Sequence, residues 1–184
     1  MSETVTAARR TARRNASAAT RQAKATTEQY SPKEDRPLGG YAAIMAVYGV
    51  CAAGLGGLLL RRRRPAERLN LGDIALLSAA TFKVSRLAGA DAVASPLRAP
   101  FARYKGPGEA PSEVREEVRG SGLRRAVGEL VTCPYCLGQW VATAFVGGMI
   151  VAPRATRVAA GTLTIAAASD ALQLGYSAAA RALK

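Results

Sequence analysis

The stretch GYAAIMAVYGVCAAGLGGLLL, residues 40–60, contains no charged residue and is followed directly by four arginines. About 20 apolar residues at ~1.5 Å rise per residue let a helix cross the ~30 Å hydrocarbon core of a bilayer. Gly54, Gly56 and Gly57 would weaken a helix in water but allow close packing in lipid. The stretch therefore predicts a transmembrane helix. Because it begins only at residue 40, we expect a retained anchor rather than a cleaved signal peptide.

Three more apolar segments follow, at residues 69–90, 136–152 and 156–180. The last two are separated by Ala-Pro-Arg at 152–154, which predicts a tight turn between antiparallel helices. The segment 69–90 is interrupted by charges, so a helix lying on the membrane surface is the alternative there. The pattern predicts an all-α, multi-pass bundle of about four transmembrane helices in the cell membrane.

The N-terminal residues 1–37 form a segment of a different kind, rich in Ala, Thr, Ser and Arg and poor in large apolar residues. Such a segment buries too little surface to offset its conformational entropy, so we predict a disordered basic tail ahead of a membrane domain at 38–182. The chain carries 26 Lys and Arg against 13 Asp and Glu. Without interleaved aromatic residues, we expect the basic residues to bind anionic lipid headgroups and not nucleic acid.

Residues 91–131 link the second and third apolar segments. Within SPLRAPF (95–101), Pro96 and Pro100 bracket residues 97–99 and predict a non-helical link at the membrane surface. Two short amphipathic helices are predicted within 111–131, around SEVREEVR and LRRAVGELV. The loop arginines and the four arginines after residue 60 give conflicting signals for topology; summed Lys and Arg favour cytoplasmic termini.

Charged residues in or beside the apolar segments form one candidate site: Lys83, Arg86, Asp91, Arg98 and Asp170. An unpaired carboxylate at the bilayer centre costs about 2.5–3.5 kcal/mol. Because Lys83 and Arg86 share a helix face at i and i+3, we expect one of them to pair with Asp170. In the functional interpretation, these charges form an anionic-headgroup site or an ion pathway. In the structural interpretation, they only hold the helices of the bundle together.

The motif VTCPYCLGQW, residues 131–140, opens the third apolar segment. With Cys133 as the N-cap and Pro134 at the first helical position, the free N–H groups of the first turn favour a reactive thiolate. A thiol–disulfide centre at Cys133 and Cys136 is therefore one interpretation. Half of a zinc site completed by a second chain is another, and a helix cap with aromatic residues at the membrane interface is a third.

Two motifs, FKVSRLAGADAVASPLRAPF (82–101) and GELVTCPYCLGQWVA (128–142), resemble the DUF1360 family of bacterial membrane proteins. The resemblance extends over about residues 40–180 and implies no known activity. With no histidine in the chain, the commonest general base is absent. We therefore expect a non-enzymatic assembly or partner-binding component without a cofactor, binding its own copies or another membrane protein. A membrane thiol oxidoreductase using the CPYC pair and an oligomeric small-ion transporter are the alternatives.

Overall fold

The chain is mostly helical in a computed structural model that describes residues 2–31, 34, 36–61 and 69–183. Four long helices carry the architecture: α2 (Leu38–Arg61), α3 (Leu71–Gly89), α6 (Pro134–Val151) and α7 (Pro153–Ala182). The predicted turn between the last two is present, because α6 ends at Val151 and Pro153 starts α7. Proline is tolerated there, since the first helical N–H needs no partner within the helix.

Contacts between the long helices set their directions. Tyr48 and Leu55 of α2 lie against Gln139 and Gly147 of α6, so these helices run parallel. The start of α6 meets the end of α3, where a Cβ on Gly89 would lie 3.1 Å from the Pro134 nitrogen. These two helices are therefore antiparallel, and the four long helices alternate up and down.

The core between α3 and α7 is built from small side chains. Ala80 and Ala160 are completely buried beside Leu77, and the hydroxyl of Thr164 donates a hydrogen bond of 2.9 Å to the Leu76 carbonyl. Small residues let two helix backbones approach closely, and the Thr164 hydroxyl finds its hydrogen-bond acceptor on the neighbouring helix. The α3–α7 pair is thus joined by packing and by polar contacts.

Among the described residues, α2 and α6 have the length and composition of membrane spans. Almost none of either span is buried inside the protein, so their apolar faces point outward. The helices α3 and α7 carry Asp73, Lys83, Arg86 and Asp170. That α3 and α7 also cross, which would give the predicted four spans, remains a prediction.

The segment between α3 and α6 folds into a small cap, and here the all-α prediction is wrong. Strands β1 (Ala102–Pro107) and β2 (Val114–Val118) pair antiparallel, with a register shift between Tyr104 and Gly106. SEVREEVR was predicted to be helical because Glu and Arg favour helices. However, Val114, Glu116 and Val118 alternate with exposed residues, and that spacing of two is the period of a strand.

Two other predictions for the cap had different outcomes. The second linker helix is present as α5 (Gly122–Val131). SPLRAPF, predicted to be non-helical, instead begins with the short helix α4 (Ser95–Arg98), which directly follows a 3₁₀ turn at Ala92–Ala94. Pro96 lies in the first turn of α4, where a proline fits a helix.

The N-terminal segment also differs from the prediction. Residues Ser2–Tyr30 form helix α1 where a disordered tail was expected. Ala, Arg, Gln, Lys and Glu have high intrinsic helix propensity, and that local preference needs no buried surface. All its described side chains are exposed. Residues 62–68, which include three of the four arginines after residue 60, lie outside the described residues.

Candidate functional site

A groove of about 560 Å³ lies between the last turns of α3, the middle of α7 and the turn of the hairpin. It collects four of the five charged residues singled out in the sequence: Lys83, Arg86, Asp91 and Asp170. Glu113 also lines the groove and was missed, because only the hairpin brings it to α3. We call the cavity lined by these five side chains the charged groove.

Lys83 and Asp170 form the interhelical pair that was one of the two expected from the sequence. Lys83 Nζ lies 2.6 Å from Asp170 Oδ2, and the lysine side chain is 18% exposed. The parallel course of α3 and α7 makes this contact possible. The pair thus links the two helices at this level and gives Asp170 a counter-charge.

A second pair joins the same two helices near their N-termini and was not predicted. Arg157 donates to both carboxylate oxygens of Asp73, at 2.9 and 3.2 Å, while the Asp73 side chain is 6% exposed. Asp73 also completes a capping box with Asn70 at the start of α3. Asp73 therefore both caps the start of α3 and forms an interhelical ion pair.

The cap closes the charged groove from the other side. Arg86 pairs with Glu113 of the hairpin. Asp91 is almost fully buried and accepts a hydrogen bond of 3.1 Å from the Ser112 hydroxyl. These contacts tie the end of α3 to the turn of the hairpin.

Arg98 lies behind the charged groove, in the interior of the cap, and is 1% exposed. Its guanidinium pairs with Glu116 through Nε at 2.7 Å and also donates to the carbonyls of Ala88 and Asp91, at 2.7 and 3.0 Å. A buried guanidinium needs both a counter-charge and hydrogen-bond acceptors. This network joins β2 to the end of α3, which gives Arg98 a structural position outside the groove.

The cysteine pair lies at the start of α6, as the motif predicted. Cys133 is the N-cap of α6, and its sulfur accepts a hydrogen bond of 3.2 Å from the backbone N–H of Cys136. Tyr135 is exposed, whereas Trp140 packs edge-on against Tyr48 of α2, with ring centroids 5.2 Å apart. Trp140 therefore serves the contact between α2 and α6.

Cys136 lines a second, mainly apolar groove of about 540 Å³ between α2, α5 and α6. The Tyr41 hydroxyl donates to Glu129 at one end of this groove, and Gln139 donates to the Tyr48 hydroxyl at 2.6 Å. Because Glu129 also accepts from Arg125 at 3.1 Å, the polar groups of this groove are engaged with each other. It offers an apolar surface with satisfied polar groups at its edge.

Cys51 lies on α2, between the residues that contact Gln139 and Gly147 of α6. At ~1.5 Å per residue, this places Cys51 roughly 10 Å farther along the bundle than Cys136. A disulfide needs Cα atoms within about 7 Å, so Cys51 is not placed to pair with Cys136. In the described part of the chain, no three Cys, Asp or Glu side chains gather as a metal site. The site completed by a second chain remains a prediction.

These observations define a class of protein: a bundle of long helices, two with the composition of membrane spans, closed at one end by a small α/β cap held by ion pairs. Residues 76–176 match the family described as "Protein of unknown function (DUF1360)". The match covers more than half of the 184 residues, so the chain belongs to this family. The matched range begins inside α3 and is shorter than the 40–180 expected from the two motifs.

A curated relative supports the assignment. The "Sporulation protein YjcA" of Bacillus subtilis (strain 168) is 33% identical over 91 residues, which cover 48% of this chain and 77% of the relative. No solved structure matches the chain.

Proposed function

We propose that this chain is a multi-pass membrane protein in which α2, α3, α6 and α7 all cross the bilayer, and that it acts by binding a partner rather than by catalysis. The observation that carries the proposal is the distribution of polarity. Large apolar side chains lie exposed on the outer faces of the bundle, including Met45, Val50, Val158, Ile165 and Leu172. Four charges of α3 and α7 instead form two pairs between these helices, Lys83 with Asp170 and Arg157 with Asp73. Lipid favours that arrangement, because it solvates apolar faces and penalises unpaired charge.

The basic helix α1 is the proposed contact with the membrane surface. Its basic side chains Arg9, Arg10, Arg13, Arg14, Arg21 and Lys24 are exposed. Each basic residue near an anionic bilayer surface contributes about 1 kcal/mol of attraction. Because α1 precedes α2 with only a short connection, it lies close to the bilayer whenever α2 is inserted.

The end of α7 is the proposed partner-binding surface. Residues 171–179 are exposed on every face, and Leu172 and Tyr176 are large side chains there that do not line the charged groove. A second copy of this chain or another membrane protein would cover these side chains. The name of the Bacillus subtilis relative supports sporulation as the setting, which expression of this chain in a strain lacking that relative would test.

Two measurements test the proposal. After extraction of membranes with alkaline carbonate, we expect the chain to stay in the pellet; release into the supernatant would contradict membrane insertion. Alkylation trapping in cells, together with a Cys133→Ser, Cys136→Ser variant, tests the non-catalytic role. We expect reduced thiols and an unchanged phenotype, whereas a trapped disulfide whose loss abolishes function would contradict it. No observation on the described residues favours the thiol-oxidoreductase or ion-transport alternative.

A further inference from the structure

We propose that the charged groove binds the headgroup of phosphatidylethanolamine, with its ammonium at Asp91 and its phosphate at Arg86. The proposal rests on the proposed membrane location. It goes beyond that location because it assigns a ligand to a particular cavity. It also replaces the anionic headgroup expected from the sequence with a zwitterionic one.

The balance of charge in the groove selects the headgroup. The lining has two basic side chains, and both are already paired: Lys83 with Asp170, and Arg86 with Glu113. Asp91 is the surplus carboxylate, so the lining has a formal charge of −1 when all five groups are ionised. A purely anionic ligand would meet this excess negative charge, whereas an ammonium group would neutralise it.

Asp91 is placed to receive that ammonium. The residue is 8% exposed, and one of its carboxylate oxygens accepts from Ser112. Its other oxygen has no hydrogen-bond partner among the described residues. This oxygen is not among the fully buried, unpartnered side-chain atoms of the described residues, so a ligand can reach it, and a primary ammonium supplies three donors.

Arg86 provides the site for phosphate. Its pairing with Glu113 uses one terminal nitrogen, and its side chain remains 39% exposed. The other guanidinium N–H groups have no hydrogen-bond partner within the described part of the chain, although the guanidinium carbon lies 5.8 Å from the centre of the Phe82 ring. A guanidinium can bridge a carboxylate and a phosphate because its planar donors point in several directions.

The rim of the groove fits a lipid better than a water-soluble amine. Phe82 on α3 and Leu174 on α7 line the groove and are 56% and 52% exposed. These side chains would contact acyl chains while the headgroup lies inside. The volume of about 560 Å³ is within the usual range for small-molecule sites.

The experiment compares lipids that share the phosphate but differ in the amine. Native mass spectrometry of the full chain, released from nanodiscs, counts bound phosphatidylethanolamine against phosphatidylcholine, whose quaternary amine has no N–H donor. We expect a preference of about tenfold or more for phosphatidylethanolamine, the size of one charge-assisted hydrogen bond. Equal binding of the two lipids by the wild-type chain would overturn the proposal.

Variants separate the two halves of the site. Asp91→Asn should abolish the preference, while Arg86→Gln should weaken both lipids alike and keep it. Glu117→Gln is the matched control, since Glu117 is exposed on the outer face of β2 and does not line the groove. Monodisperse protein with unchanged Trp140 fluorescence establishes that a variant is folded. A preference that survives Asp91→Asn in folded protein would refute the site.

A last comparison distinguishes the lipid from its free headgroup. Soluble phosphoethanolamine should compete only weakly, because it lacks contacts with Phe82 and Leu174; competition as strong as that of the lipid would contradict a lipid site. Carbonate extraction of the same samples separates this result from the proposed function. Protein that stays in the membrane pellet yet shows no lipid preference would contradict only the lipid site in the groove. Protein that is extracted into the supernatant would contradict the proposed membrane location.

Discussion

Replacing Arg98 with methionine should open the cap, because it leaves Glu116 buried without its counter-charge. Arg98 is 1% exposed and the Glu116 side chain 7% exposed, so water reaches neither group in the folded cap. Removing one member of a buried ion pair costs about 3–5 kcal/mol. At ~1.36 kcal/mol per factor of ten, the fraction of open cap should rise by about 150- to 5,000-fold.

Hydrogen exchange followed by mass spectrometry measures that opening directly. Backbone N–H groups of β1 and β2 should lose protection in Arg98→Met, while those of α6 should keep theirs. Arg115→Met is the matched control, because Arg115 neighbours Glu116 on β2 but is exposed, where such changes alter stability by only about 0.5 kcal/mol. If Arg98→Met changes exchange no more than Arg115→Met, the buried pair does not hold the cap.

A second arm separates charge from packing. In the double variant Arg98→Met, Glu116→Met neither charge of the pair remains, and replacing a buried ion pair by apolar side chains is often neutral. We therefore expect much of the lost protection to return. Continued full exposure of the strands would show that the hydrogen bonds to the carbonyls of Ala88 and Asp91, rather than the charge pair, dominate.

Two further predictions concern the bundle. A Cβ on Gly40 would lie 2.7 Å from the Ala126 Cβ, whereas one on Gly39 would meet nothing within 4 Å. Gly40→Ala should therefore lower the free energy of unfolding by about 1–3 kcal/mol, while Gly39→Ala leaves it unchanged or raises it; equal melting temperatures in detergent would contradict the close approach. Reversing the charge of Lys83 or of Asp170 alone should reduce the yield of folded protein, and Lys83→Asp, Asp170→Lys together should restore it. Failure of the double reversal would mean that the pair does not set the α3–α7 register.

The apolar segments and an ion pair with Asp170 could be predicted from the sequence because lipid excludes unpaired charge from long apolar helices. Long uncharged runs favour spanning helices, and Asp170 is the lone acid within its run, so few partners were available. The register of α3 and α7 then follows from the pair itself. The sequence left Lys83 and Arg86 open as the partner of Asp170, and the packing of α3 against α7 and the hairpin decides for Lys83.

The cap could not be predicted in the same way, because its structure depends on contacts between distant residues. SEVREEVR has both the helix-favouring composition of Glu and Arg and the alternation of a strand, and pairing with β1 decides between them. Arg98 was singled out between two prolines, but its partner Glu116 lies 18 positions away in a segment predicted to be helical. For α1 the opposite occurred: local propensity produced a helix where burial arguments predicted disorder.

Cysteine mapping of membrane sidedness tests the central claim most directly. In a variant whose three native cysteines are replaced, single cysteines are placed at Ser17 in α1, Glu109 in the hairpin turn and Ala152 between α6 and α7. A membrane-impermeant maleimide then labels them in sealed vesicles of each orientation. If all four long helices span, Ser17 and Glu109 react from the same side and Ala152 from the opposite side. If only α2 and α6 cross, Ser17 and Ala152 share a side and Glu109 lies opposite, and the four-span account is wrong.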